Sequence, residues 1–383
     1  MRFAHMGDCH LGGWRHPELA TLTMQSFASA VNTSIKEKVD FVLIAGDLFD
    51  TAYPPIDTIK DAFEQFRKLK DANIPVFLIA GSHDYSASGK TFLEVLEKAG
   101  FAKNAHQPEE RNGSIILSPI LYNGAAIYGY PGKKSGMEVE EISRIKLQES
   151  PGFFKILMLH TAIRDAVGTL PISAVDQDNL PKVDYLALAH LHIDYNKNSR
   201  VYCGPTFPNN SNELEELQGG SFYIVDTKSK PKKISIKLKD VLIVEKKITN
   251  AFTATADILV SLKDKDLKDK IIILKISGVL ESGKKTDIKF NEIEKFVRDS
   301  GAYVFLKSTT KLYADEPEFN FTVNPDSIEE DIIKKFQEEH ESSFNTHVGQ
   351  LFHALNVDKK EGEVSRIFES RVFEEFSKVF SIK

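Results

Sequence analysis

The sequence predicts a layered α/β domain, followed by a small α+β unit and a helical C-terminal tail. Three observations predict it. Short apolar runs of strand length recur along the first part of the chain without strict apolar–polar alternation, so each is buried on both faces. Amphipathic stretches of helical length separate them, which is the order of a layered α/β arrangement. Past residue 227 the composition changes, with lysines gathering in the middle of the chain and acidic helical segments closing it. With 383 residues, 42% apolar and 27% charged, the chain is long enough for two or three domains and a sizeable core.

Taken in order, the apolar runs are 2-RFAHMG-7, 41-FVLIAG-46, 75-PVFLIAG-81, 155-KILMLH-160 and 184-DYLALAH-190. Residues 18–39 and 56–72 read as helices between them, and 89–100 as a third that stops at a glycine. Stretches 114–118, 126–130, 200–204 and 221–226 read as further strands. These elements make a first domain over 1–227. The segment 227-TKSKPKK-233 reads as a linker. Strands at 234–248 and 271–277, a helix at 289–299 and a strand at 302–307 then form a small α+β unit over 234–311. Residues 311–327 read as an extended connection, and helices at 328–341, 346–356 and 362–380 make up the tail, 328–383.

Charge is unevenly distributed. Residues 1–227 carry 21 basic and 28 acidic side chains, residues 228–311 carry 20 and 11, and residues 312–383 carry 8 and 16. A basic middle between acidic ends suits either a nucleic-acid contact or a lysine-rich solvated face. No apolar run approaches the roughly 18 residues of a membrane span, so no membrane partner is expected. The N-terminus, MRFAHMGDCHLGG, lacks a signal-peptide apolar segment and carries an early acid, which argues against secretion. The only cysteines, Cys9 and Cys203, fit a reducing compartment rather than a disulfide scaffold.

Each main strand ends in residue types that bind metals: 8-DCH-10, 46-GDLFD-50, 81-GSHD-84, His160 and 190-HLH-192. The carboxyl ends of strands in α/β sheets form the ligand crevice, so five strands aim Asp8, His10, Asp47, His83, His160, His190 and His192 at one place. Side chains at i and i+2 of an extended chain point the same way, so Asp8 and His10 can share an ion, as can His190 and His192. Cys9 then points into packing. Mixed imidazole and carboxylate donors suit manganese, iron or zinc. Singly, each motif is more often a surface turn or a hydrogen-bonded core histidine. Five in order, each at a strand end, are not independent accidents.

These motifs resemble the calcineurin-like metallophosphoesterase superfamily over about residues 1–226. Within it, 41-FVLIAGDLFD-50, 80-AGSHDYSASGKTFLEVLEKAG-100 and 185-YLALAHLH-192 are similar to the Mre-eleven/SbcD family of DNA double-strand-break repair nucleases, in an archaeal-like version. The resemblance implies a layered β-sandwich flanked by helices, a DNA-capping domain, and a helical tail that binds a Rad-fifty/SbcC-type ABC ATPase. It also implies a homodimer in a prokaryotic cytoplasm, associated with the nucleoid, and 3′–5′ exonuclease and endonuclease activity. Two manganese ions would be held, one by Asp8, His10, Asp47 and His192, the other by Asp47, Ser82, His160 and His190. His83 would be a catalytic group facing the phosphate, oriented by Asp84. Trp14 and Arg15, with the segment 200–210, would lie near DNA.

The sequence departs from the family pattern three times. Ser82 stands where the family has asparagine, a better neutral ligand. Ala189 replaces a glycine, and Asp50 replaces a histidine common among members. A scaffold with a weakened nuclease site and a small-molecule phosphodiesterase are the alternatives. In the tail, Val364, Ile367, Phe368, Val372, Phe373, Phe376, Val379 and Phe380 fall on one helical stripe. The stripe suits packing on its own domain or a partner's groove; the resemblance selects Phe368, Phe373 and Phe376 for the partner.

Overall fold

The structure, a computed structural model, describes residues 1–86, 88–168, 171–314, 345–355, 357 and 365–379. Met1–Asp315 forms one compact unit and Glu316–Lys383 a second.

The first unit is built on two six-stranded sheets. One runs in the order Lys232–Ile236, Gly220–Asp226, Arg2–Met6, Phe41–Ala45, Val76–Ile79, Lys103–Asn104. The other runs Asp194–Lys197, Arg200–Cys203, Tyr185–Ala189, Phe154–His160, Ala125–Tyr130, Ile120–Tyr122. The apolar runs are explained by where their alternate residues go. Phe41, Leu43 and Ala45 meet Ile156, Met158 and Ala187 in the core between the sheets. Val42 and Ile44 turn the other way, onto Phe27, Val31 and Phe66 of the flanking helices. Leu157 and Leu159 likewise pack on the outer face of the second sheet. Burying an aromatic or aliphatic side chain of this size contributes about 1.5–3 kcal/mol, so both faces of the central strands are stabilised.

Pro17–Lys36 and Ile56–Asp71 are the helices expected at 18–39 and 56–72. Proline at the first position and Glu18 in the first turn start the longer one. The helix expected at 89–100 is shorter, Leu93–Lys98. Before it, Ser86 Oγ accepts from the Lys90 amide at 3.0 Å and Thr91 Oγ1 from the Leu93 amide at 3.2 Å. These bonds offer the backbone a turn in place of a helix.

The region read as one strand at 234–248 is two. Lys232–Ile236 pairs antiparallel with Gly220–Asp226, so the first sheet extends past residue 227. Val241–Lys247 opens a three-stranded parallel sheet with Ile271–Leu280 and Val304–Ala314. The helix Phe290–Asp299 was expected there; Ala251–Lys263 was not. Its Ala254, Ile258 and Leu262 are buried at helical spacing, but threonines and β-branched residues blur the pattern. Asn250 caps it, Oδ1 accepting from the Phe252 amide at 2.9 Å.

In the second unit, helices Val348–Leu355 and Ser365–Val379 correspond to those expected at 346–356 and 362–380. The helix expected at 328–341, most of the connection at 311–327, and Val364 and Phe380 lie outside the described residues. No helix among the described residues is long and apolar enough to cross a membrane.

Candidate metal centre

The five motif ends converge where the two sheets meet. Asp8, His10, Asp47 and Ser82 follow strands of the first sheet; His160 ends, and His190 and His192 follow, strands of the second. The loops are locked to one another by backbone bonds, Asp8 to Gly46, His10 to Asp47 and Leu11 to Leu48, each 3.0 Å. Asp8 with His10, and His190 with His192, do not converge by the alternation of an extended chain. They are not extended: φ is +48° at Asp8, +44° at His10, +105° at His190 and +51° at His192, with +48° at Asp47. Left-handed backbone at a residue other than glycine costs on the order of 1–3 kcal/mol. Five such residues in one crevice mark a site that the surrounding packing holds in place. Two glycines permit the close approach: a Cβ at Gly81 would meet Asp47 Oδ1 at 2.2 Å, and one at Gly46 would meet His160 Nδ1 at 2.4 Å.

The donors form two facing sets. His10 and His192 approach with their Nε2 atoms 3.0 Å apart. The other nitrogens of these rings face carboxylates, His10 Nδ1 donating to Asp50 Oδ1 at 3.0 Å and His192 Nδ1 to Glu213 Oε1 at 3.0 Å. With both rings neutral the two Nε2 atoms would present lone pairs to one another, and His192 Nε2 is 3.9 Å from Asp8 Oδ1. In the second set, His160 Nδ1 donates to the Ala45 carbonyl at 3.0 Å. Its Nε2 faces His190 Nδ1 at 3.3 Å and Asp47 Oδ2 at 3.2 Å. His10 Nε2 is 3.8 Å from the same Asp47 oxygen, placing Asp47 between the sets. Ligand atoms of Asp8, His10 and His192, and of Asp8, Asp47 and His160, lie within 4.8 Å of one another. Facing lone pairs repel unless a cation or proton lies between them, so this donor set fits divalent metal ions.

The electrostatics agree. Burial pushes the His160 ring down, but Asp47 and Asp8 override it and hold the ring at about 9. Burial likewise opposes Asp8 and Glu213 at His192, which ends at about 9. His190, exposed at its edge but with its ring desolvated beside the His160 charge, drops to about 4. Asp47 stays well below the usual carboxylate range despite its burial, because His160 and His10 favour its anion.

His83 donates its backbone N–H to Asp47 Oδ1 at 2.8 Å, while its half-exposed ring stands edge-on to His10 at 4.8 Å between centroids. Its Nδ1 donates to the Asp50 carbonyl at 2.9 Å. His10, Asp50 and His83 also cluster closely enough to bind an ion, but the bonds from His10 Nδ1 to the Asp50 carboxylate and from His83 Nδ1 to the Asp50 carbonyl account for the closeness. Asp84 does not orient the His83 ring as expected. It is buried, and its carboxylate accepts from the backbone of Gly81, Phe49 and Leu48 at 2.9, 3.1 and 3.3 Å. Burial and Asp47 raise it to about 7. It therefore ties the 46–50 and 81–84 loops together. Ser82 Oγ is 3.4 Å from Asp47 Oδ2. Cys9 is buried, as expected.

Trp14 is half-buried, its Nε1 donating to the Pro208 carbonyl at 2.8 Å, and it packs on the cluster of Leu19, Phe207, Leu214, Ile271 and Val304. That is a structural contact with the parallel-sheet unit; Arg15 beside it is exposed. In the tail, Phe368, Val372, Phe373 and Phe376 line a shallow apolar groove with Leu355. Phe373 is 65% exposed.

Sequence reasoning passed over Glu213 and Asn209, and read Asp50 only as a lost imidazole. Glu213 takes His192, and Asn209 Nδ2 donates to Asp50 Oδ1 at 3.3 Å. The signal available was 210-NSNE-213, which reads as a helix N-cap followed three residues on by an acid. It marks a helix start and says nothing of a histidine partner.

Imidazoles and carboxylates from two sheets, gathered at strand ends with their outer nitrogens fixed, define a metal-dependent hydrolase site. The chain belongs to the calcineurin-like phosphoesterase family, whose profile matches residues 1–194, and is accordingly a metal-dependent phosphoesterase. It is 29% identical over 313 residues to the DNA double-strand break repair protein Mre11 of Methanocaldococcus jannaschii, covering 72% of this chain and 82% of that one. It is 26% identical over 335 residues to the protein of the same name from Methanosarcina mazei, covering 83% of this chain but only about half, 51%, of that one. It is 28% identical over 241 residues to the uncharacterized metallophosphoesterase YhaO of Bacillus subtilis, covering 59% of this chain and 57% of that protein.

Proposed function

We propose that this chain is a DNA nuclease that hydrolyses phosphodiester bonds with two manganese ions, as a 3′–5′ exonuclease and endonuclease in double-strand-break repair. The observation that carries the two-metal reading is the pair of facing histidine sets on either side of Asp47, His10 with His192 and His160 with His190. One ion falls to Asp8, His10, Asp47 and His192, the other to Asp47, Ser82, His160 and His190. Two such ions would supply Lewis acidity toward phosphate oxygens and a nucleophilic water near neutral pH. The protein's own groups do the rest. Asp50 and Glu213 hold the His10 and His192 rings in one tautomer. His83, with Nδ1 committed to the Asp50 carbonyl, keeps Nε2 available to a phosphate oxygen or the leaving hydroxyl.

DNA is supported by the relatives named as DNA repair proteins, by the net positive charge of 228–311 and by exposed Arg15 beside the crevice loops. Trp14 would act there by holding the loop that carries Arg15. The apolar groove with Phe368, Phe373 and Phe376 is the proposed seat for an ABC-type ATPase of the Rad-fifty/SbcC kind. A homodimer and a cytoplasmic, nucleoid-associated site of action belong to the same reading. Purified protein with manganese, assayed on linear DNA and on bis-p-nitrophenyl phosphate, tests it. Cleavage of both is expected; cleavage of the small diester alone makes the protein a small-molecule phosphodiesterase, and cleavage of neither, with DNA binding retained, makes it a scaffold.

A further inference from the structure

The two histidine sets are anchored differently. His160 donates to the carbonyl of Ala45, inside the first sheet. The outer nitrogen of His192 reaches instead to a surface segment, 209–215, and that of His10 meets the same segment only through Asp50. His192 Nδ1 donates to Glu213, whose other oxygen accepts from the Asn209 amide at 2.8 Å. His10 Nδ1 donates to Asp50 Oδ1, which also accepts from the Asn209 side chain. The helix that carries Glu213, Ser211–Leu217, has seven residues. A helix this short does not hold itself in place; its position is set by what it packs against. Leu214 is buried in the cluster with Ile271, Ile273 and Val304 of the parallel-sheet unit. Lys275, on the central strand of that sheet, grips Glu215 with both carboxylate oxygens at 2.8 Å.

We propose that the Ser211–Leu217 helix is a positioning element that ties the parallel-sheet unit over 241–314 to one of the two metal positions only. Glu213 sets the His192 ring, and Lys275, through Glu215, sets Glu213. A displacement of the parallel-sheet unit then changes the His10–His192 position and leaves the His160–His190 position as it was. This rests on the two-metal reading above.

The test is calorimetric titration of the full chain with manganese alone, resolving the two binding steps. Glu213→Gln should weaken one step by about 10–100-fold and leave the other at its wild-type affinity, the range seen when the partner of a metal-binding histidine is removed. Lys275→Met, a surface change remote from the donors, should weaken the same step by several-fold, and Lys275→Arg, which can keep the pair with Glu215, should restore it. The double variant Glu213→Gln with Lys275→Met should lose no more than Glu213→Gln alone. Unchanged affinities in Glu213→Gln, or equal losses at both steps, overturn the positioning role. Wild-type affinities in Lys275→Met overturn the link to the parallel-sheet unit. A wild-type chain that binds fewer than two ions sinks the two-metal reading itself, and this inference with it.

Discussion

His83 and Asp84 adjoin in sequence yet do unrelated work. The His83 ring faces the crevice with one nitrogen committed to the Asp50 carbonyl, and Asp84 is buried under three backbone amides. His83→Leu keeps every proposed donor atom, so metal stoichiometry and DNA affinity should stay near wild type. The single-turnover cleavage rate at saturating DNA should fall by about 10²–10⁴-fold. A wild-type rate would remove His83 from the chemistry. Asp84→Asn should show itself in stability instead, because Asn keeps only one acceptor oxygen for three amides. A loss of about 1–3 kcal/mol is expected from denaturant midpoints. Ser82→Asn offers an amide oxygen beside Asp47 and should tighten one manganese step in calorimetry; no change would put Ser82 outside the coordination set. The donor residues were legible because each sits at a strand end of fixed type. Glu213 and Asn209 were not, since pairing with Asp50 and His192 spans many residues and leaves no periodic trace.

Among the elements, the central strands were legible because burial on both faces makes an unbroken apolar run. The loops that end them were not, because φ is set by the packing around Asp8, Asp47 and His190 and not by local propensity. Ala189 illustrates how elements fit at contact range. A Cβ at Gly7 would lie 2.6 Å from Ala189 Cβ, so the methyl at 189 is tolerated because position 7 has none. Gly7→Ala should therefore cost about 1–3 kcal/mol by overpacking. Adding Ala189→Gly should recover much of it, which urea unfolding of the two variants would check. Full additivity of the two changes would mean they do not meet. Lys232–Ile236 joins the first sheet and not the parallel-sheet unit for a related reason: a strand's own pattern does not say which edge it joins.

For the molecule as a whole, two groups of histidines pull stability in opposite directions. His5 is fully buried and held down to about 3 by desolvation, and His106 to about 4 by burial and Lys133. Both stay neutral in the fold while the unfolded chain takes up protons below about 6.5, so stability falls as pH drops from there toward 3. His160 and His192 are raised, each to about 9. In metal-free protein their contribution is complete below about 6.5 and is lost as pH climbs to 9. Chelated protein should be most stable near pH 6.5, measured as thermal midpoint against pH. Saturating manganese should flatten the alkaline side, because rings already deprotonated by metal have nothing left to lose; an alkaline limb that persists with metal would contradict this. In the second unit, Phe373→Glu with Phe376→Glu should abolish capture by a partner ATPase while DNA cleavage by the isolated chain persists. Loss of the folded thermal transition would instead make those rings internal packing.

The division of donors between the sheets has a mechanical consequence. Asp8, His10 and Asp47 belong to one sheet and His160, His190 and His192 to the other, so an ion held as proposed would be a rivet through the sandwich at its open end. Elsewhere the layers meet through the apolar core and a few side-chain hydrogen bonds, His5 with Tyr185, Tyr223 and Lys233 with Asp194, and Ser221 with the Cys203 carbonyl; these can break one at a time, whereas an ion would be held by donors of both layers at once. Stripping the ions should therefore lower the resistance to shear. In a single-molecule pull that loads one sheet against the other, chelated protein should yield at lower force and after a longer extension than the manganese-loaded form.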